Sequence, residues 1–334
     1  MMTKKWIVSA AALTFLGMLL LSIFLSAGIA DTYEEKFTES VALSRTGKVD
    51  LSNVSGDIVI HTWGQSEVKI DARKIGRASS ESLARENVGK VKIEIDKNGD
   101  TLSIKTVYPK NTRNINVTVH YELTIPDGAS VKASSVSGNV EASDIGGSAK
   151  LTTVSGNVEA NNIKGFLNAD SVSGSVVATT VGDGANVHSV SGDLKIRNVV
   201  GDVDGDTVSG SVFIEGVKGS VSAKTISGDT VLSGIEDATT VKASSLSGSV
   251  QYEGDILSGG SYSFKAHSGR VVLDLPSDAA FDLSATTFSG SIRSDFEITM
   301  SGQISKKSIR GAVNGGGAEV KANSFSGSIH IRKK

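Results

Sequence analysis

From residue 136 to 174 the chain reads VSGNVEASDIGGSAKLTT (136–153), VSGNVEANNIKGFLNADS (154–171), then VSG (172–174). The tripeptide apolar-Ser-Gly recurs at Val190-Ser191-Gly192, Val208-Ser209-Gly210 and Ile226-Ser227-Gly228, each 18 residues after the last. The interval then loosens. Leu246-Ser247-Gly248 follows after 20 residues, His267-Ser268-Gly269 and Phe288-Ser289-Gly290 after 21 each, and Phe325-Ser326-Gly327 after 37. An earlier copy stands at Val54-Ser55-Gly56. A fixed period of this length marks one supersecondary unit stacked on copies of itself.

Within each unit the apolar positions are fixed too. Val136, Val140, Ala142, Ile145, Ala149 and Leu151 are matched by Val154, Val158, Ala160, Ile163, Leu167 and Ala169. The pairs Val140/Ala142 and Ala149/Leu151 alternate as a half-buried strand does, and no helical period fits. The reading is an all-β chain whose residues 131–334 wind into a parallel β-solenoid (β-helix or β-roll) of about 18–21 residues per coil. Equivalent residues then form columns about 4.8 Å apart. The Val136 column is expected inside with the other apolar columns, and the serines at a corner beside glycines able to take positive φ. A nine-residue half-unit predicts a flattened cross-section of two sheets.

The preceding chain differs. Residues 41–130 are expected to form a strand-rich capping region, with a hairpin at Asn98-Gly99 and one short helix over Ser79–Asn87. Residues 31–40 are polar and are expected to form a stalk. Lys4 and Lys5 precede a charge-free run from Trp6 to Ala30. Its length favours an uncleaved transmembrane signal-anchor over residues 1–30, with the bulk of the chain extracytoplasmic in a single-pass cell-membrane protein. Cleavage after Ala27 or Ala30 would instead release a secreted protein.

Composition narrows the function classes. A net charge of −2 supplies no field for nucleic acid. The absence of cysteine excludes disulfides, thiolate metal sites and a cysteine nucleophile. The recurrent serines are explained by corner geometry, whereas a serine nucleophile is singular and needs a base. No catalytic residues and no cofactor are assigned. One outward column is expected to read Thr152, Asp170, His188, Asp206, Lys224 and Lys242, with Asp202 and Asp204 beside it. Asp170, His188, Asp202, Asp204 and Asp206 form a weak cation candidate, since carboxylates suit Ca²⁺ and a histidine adds affinity for Zn²⁺. The simpler reading is a solvated ladder of stacked opposite charges.

Several stretches carry a family resemblance. They are Val54-Ser55-Gly56-Asp57-Ile58-Val59-Ile60, Leu123-Thr124-Ile125-Pro126, Leu273-Asp274-Leu275-Pro276 and the closing copies Phe288-Ser289-Gly290-Ser291-Ile292 and Phe325-Ser326-Gly327-Ser328-Ile329. Over residues 41–334 the chain resembles the bacterial putative-adhesin family of β-strand repeat proteins, a domain of unknown function. An N-terminal membrane helix ahead of such a domain is similar to the Lia-type accessory proteins of Gram-positive envelope-stress operons. The resemblance implies no catalytic residues. It implies a binding or scaffolding module for a cell-wall polymer, a membrane protein or another copy of itself, with residues 6–30 in the membrane. The rival class is a carbohydrate-active enzyme acting on wall polysaccharide through a groove on the solenoid.

Overall fold

The computed structural model describes residues 31–110, 115–300, 305 and 307–334. The anchor expected at residues 1–30 lies outside these. Among the described residues no helix is long and apolar enough to cross a membrane.

The chain is all-β, and its described strands form two long sheets of 14 and 15 strands. In the first, Val140–Ser143, Val158–Ile163 and Val176–Val181 stack in parallel. In the second, Ser130–Ser137, Ala149–Ser155 and Leu167–Ser173 do the same. Partners are 18 residues apart, as in Ala149↔Leu167↔Ala185↔Val203. The narrow core between the sheets takes Val140, Ala142 and Ile145 from one side and Ala149, Leu151 and Thr153 from the other, all buried.

Both ends depart from chain order. The coil built from Lys48–Ser52 and Ile58–Trp63 lies directly against Ser130–Ser137 and Val140–Ser143. The chain between them turns outward. Thr101–Val107 and Val117–Pro126 add one more coil, and antiparallel strands Glu67–Ala78, Asp31–Ala42 and Lys92–Asn98 close the end. The helix Glu81–Lys90, capped by the Ser80 hydroxyl, buries Ala84 and Val88. At the other end Ala318–Ser324 and Ile329–Lys333 insert between the coil of residues 261–275 and that of residues 281–294. This insertion accounts for the 37-residue interval.

Three expectations need correction. Residues 31–40 are not a stalk but part of strand Asp31–Ala42, paired along its whole length with Glu67–Ala78. Half-buried Tyr33, Glu35, Phe37 and Val41 give it a period-two face that its polar composition masks, and Glu35 meets Lys74 at 2.7 Å. Lys242 leaves the column that contains Lys224, which Ser244 continues instead, because the two extra residues of that coil fall before its second-sheet strand. Finally, the column Val136, Val154, Val172 and Val190 is a single column but lies outside the core. Ala149, Leu151 and Thr153 face in, so strand alternation turns Val154 out.

Candidate binding face

The corner after each second-sheet strand is built from four residues. Asn53 and Ala266 open two of these corners, and nine open on a small hydroxyl residue, buried although polar: Ser135, Thr153, Ser171, Ser189, Thr207, Thr225, Ser245, Ser324 and Thr287. Each donates to a glycine carbonyl of the adjoining coil, as Ser171 Oγ does to Gly156 O at 2.9 Å and Thr225 Oγ1 to Gly210 O at 2.8 Å. The hydrogen bond removes the penalty of burying the hydroxyl.

The glycine is set by close approach. A Cβ added at Gly156 would lie 2.2 Å from Gly138 O, and one at Gly174 1.9 Å from Gly156 O. The residue after the glycine links the coils again. Asn139 Oδ1 accepts from Asn157 N–H and Asn157 Oδ1 from Ser175 N–H, each at 2.9 Å, and Asp193 Oδ1 accepts from Ser211 N–H at 2.8 Å. The coils are therefore pinned in register at every corner.

This pinning projects the apolar residue of the tripeptide into solvent. Val54, Val136, Val154, Val172, Val190, Val208, Ile226, Leu246, His267, Phe325 and Phe288 form one ladder of successive rungs, in that spatial order. Exposure runs from 40% at Ile226 to 51% at Val136, and reaches 72% at Phe288. The last three rings stack, His267 on Phe325 at 4.8 Å and Phe325 on Phe288 at 4.9 Å between centroids. Eleven rungs at about 4.8 Å make a stripe roughly 48 Å long. Beside its far end runs an open groove of about 760 Å³, walled by Ile226, Leu246 and the stacked rings and edged by Lys224 and Lys265.

The polar column two residues before the ladder carries segregated charge. Asp170, His188 and Asp206 occupy consecutive coils, followed by Lys224, Ser244 and Lys265. Asp204 stands in the next column out, beside Asn186. Among the cation candidates, His188 Nδ1 and Asp206 Oδ2 are 2.8 Å apart. Asp202 is turned away, its Oδ1 accepting the Ser220 N–H at 2.9 Å. Among the described residues no three acidic or histidine side chains gather as a metal cage. Phe213 shares its outward column with Glu141, Glu159 and Lys195, on the first sheet.

A second hollow, of about 320 Å³, lies on the first sheet between the N-terminal strands, lined by Lys36, Asp57, Asp71, Arg73, His120 and Glu122 among others. Its Asp57, Asp71 and His120 are already engaged. The Lys69 ammonium, with help from Thr38 Oγ1, holds the Asp71 carboxyl below the usual carboxylate range. The Asp57 N–H donates to His120 Nδ1 at 3.3 Å.

No curated protein matches the chain. Several crystal structures match it at low identity and low TM-score. A putative cell adhesion protein from Clostridium sporogenes is 11% identical, covering 90% of this chain and 100% of its own, with a TM-score of 0.24. A putative adhesin from Bacteroides fragilis is 14% identical over 90% and 97% (TM-score 0.35), and a putative lipid binding protein from Parabacteroides distasonis 12% identical over 90% and 97% (TM-score 0.43). Such values tie no ligand to this chain. The family model is decisive. It matches residues 46–332, nearly the whole described molecule, and the chain belongs to the Toastrack DUF4097 family.

Proposed function

We propose that the chain is a non-catalytic, adhesin-like binding and scaffolding module, held at the outer face of the cell membrane by residues 6–30. One observation carries this reading. The coils are copies of one another, and what varies among them shows what the fold leaves free. The outward column Thr152, Asp170, His188, Asp206, Lys224 changes chemistry at almost every rung. The ladder beside it is equally outward, yet ten of its eleven rungs are Val, Ile, Leu or Phe. Coil geometry demands no apolar residue there, whereas a docking face does. Its exposed area is about 800 Å², above the roughly 300–600 Å² of the largest apolar patch on an ordinary monomer.

Many weak contacts along such a stripe give affinity without a deep pocket. The architecture, a membrane segment followed by a family domain, also fits an accessory role in envelope stress. The polysaccharide-hydrolase alternative needs converging carboxylates, or a base and a cation. Asp202 and Asp206 are already committed to Ser220 and His188.

A photo-crosslinking side chain placed at Val154 or Val190 in the full chain tests the reading in intact cells. Adducts are expected at both ladder positions and not at exposed Lys195 on the opposite sheet. No ladder-specific adduct of any mass refutes it.

A further inference from the structure

Resting on that reading of the ladder as the docking face, we infer that its partner is a second copy of this chain, paired antiparallel about a two-fold axis that crosses the ladder between Val208 and Ile226. Three features point there. First, the area fits: about 800 Å² is what each side contributes to a stable interface of standard size.

Second, the ladder is graded. Its Val136–Val208 rungs are all valine, and the rungs beyond are Ile226, Leu246, His267, Phe325 and Phe288. An antiparallel copy sets Val136 against Phe288, Val154 against Phe325, Val172 against His267, Val190 against Leu246 and Val208 against Ile226. Every small side chain meets a larger one, which lets the two stripes interdigitate. The common 4.8 Å spacing keeps all ten rungs in step.

Third, the charges agree. A two-fold axis perpendicular to the ladder also brings the two flanking polar columns face to face, running in opposite directions. In this register Asp206 of one copy meets Lys224 of the other, and Asp170 meets Lys265, each contact occurring twice. Moving the axis onto Val208 sets Asp206 against itself, and moving it onto Ile226 sets Lys224 against itself. Placing it between Val190 and Val208 moves Phe288, the most exposed rung, to the end of the interface, where it meets only half-buried Val107 on the rung beyond Val54. In the next column out Lys150 faces Lys321, whose charge Glu319 already balances. Complementary charge of this kind fixes register more than it adds affinity.

The chain has no cysteine, so single introduced thiols report on contacts cleanly. Cells carrying two differently tagged full-length chains, one Val172→Cys and the other His267→Cys, are oxidised with copper phenanthroline. The mixed disulfide is expected at least about fivefold above that of either variant alone, because Val172 and its own copy would be five rungs, about 24 Å, apart and beyond disulfide reach. Asp170→Lys in both chains should lower the mixed product, and adding Lys265→Glu should restore it. Within one chain these residues are five rungs apart, so a purely local effect gives no such rescue.

Self-crosslinking of Val172→Cys alone, or no disulfide in any combination, overturns the pairing. Ladder adducts to other molecules without mixed disulfides would leave the binding reading standing and remove the self-pairing. Loss of both would remove both.

Discussion

Replacing Gly174 with alanine sets two readings of the repeat against each other. The added methyl would lie 1.9 Å from the Gly156 carbonyl oxygen. Relief to an ordinary contact needs a shift of about 1.5 Å between two backbones, since no flexible side chain can yield. Two hydrogen bonds stand in the way. Ser171 Oγ donates to that carbonyl at 2.9 Å, and Gly156 N–H donates to Ser173 O at 3.1 Å. Stretching both beyond hydrogen-bond range, with overpacking of about 1–3 kcal/mol, places the loss at about 3–5 kcal/mol.

Val172, two residues earlier, is 44% exposed. Val172→Ala therefore removes only partly buried methyls and costs about 0.5–1 kcal/mol. Unfolding entropy near 2.1 cal/mol/K per residue over about 300 residues converts these losses to Tm shifts of about 5–8 °C and 1–2 °C. Thermal melts followed by circular dichroism, at low protein concentration so that association contributes little, measure both. If the alanine at 172 lowered Tm as much as the alanine at 174, the column would be buried and the corner argument wrong.

Other outcomes follow from the same geometry. Ser189→Ala removes the donor to Gly174 O (3.0 Å) and should cost about 1–2 kcal/mol, read from the urea midpoint; a neutral result would mean that carbonyl finds another partner. Burial pushes the Tyr108 and Tyr121 phenols up to about 12. The folded state thus favours their neutral form, and the stability they contribute is full below about pH 10 and lost as pH rises through about 12. Phenolate absorbance from these two should appear only with loss of strand ellipticity, and ionisation in the intact fold at pH 10 would contradict their burial. Deleting residues 318–334 removes the coil between residues 261–275 and 281–294, so residues 261–313 should become protease-sensitive while residues 130–254 stay resistant. Cleavage confined to the last coil would contradict the inserted topology.

Much of the fold was legible because the period is rigid. Eighteen-residue spacing alone gives the vertical neighbours Val140, Val158 and Val176, and the structure pairs them. The face of the Val136 column is harder to read, although the signal is present. Alternation through Ala149, Leu151 and Thr153 turns Val154 outward, but an apolar residue beside a hydroxyl looks like the core member of the pair. The hydroxyl is preferred inside because Gly138 O offers it a partner at 2.9 Å, and that acceptor belongs to the next coil. Order along the axis was beyond reach for a similar reason. Nothing near Val54 or Phe325 says that the first is followed in space by Val136, or that the second lies below Phe288.

The way the sheets end bears on how the molecule associates. A solenoid can grow end to end when its last strands are long and unpaired. Here the first sheet begins with Asp31–Ala42, which carries Glu34, Glu35, Lys36 and Glu39, and the second with Lys92–Asn98, which carries Glu94, Asp96 and Lys97. At the far end the outermost described strands are Ile292–Ser294 and Thr299–Met300, three and two residues long. Charge and brevity both blunt an edge. The flank has neither protection, since the ladder runs along it apolar and accessible from Val54 to Phe288. Blunted axial edges and an open lateral stripe are what the side-by-side pairing inferred above requires, and end-to-end fibres of the purified chain would count against it.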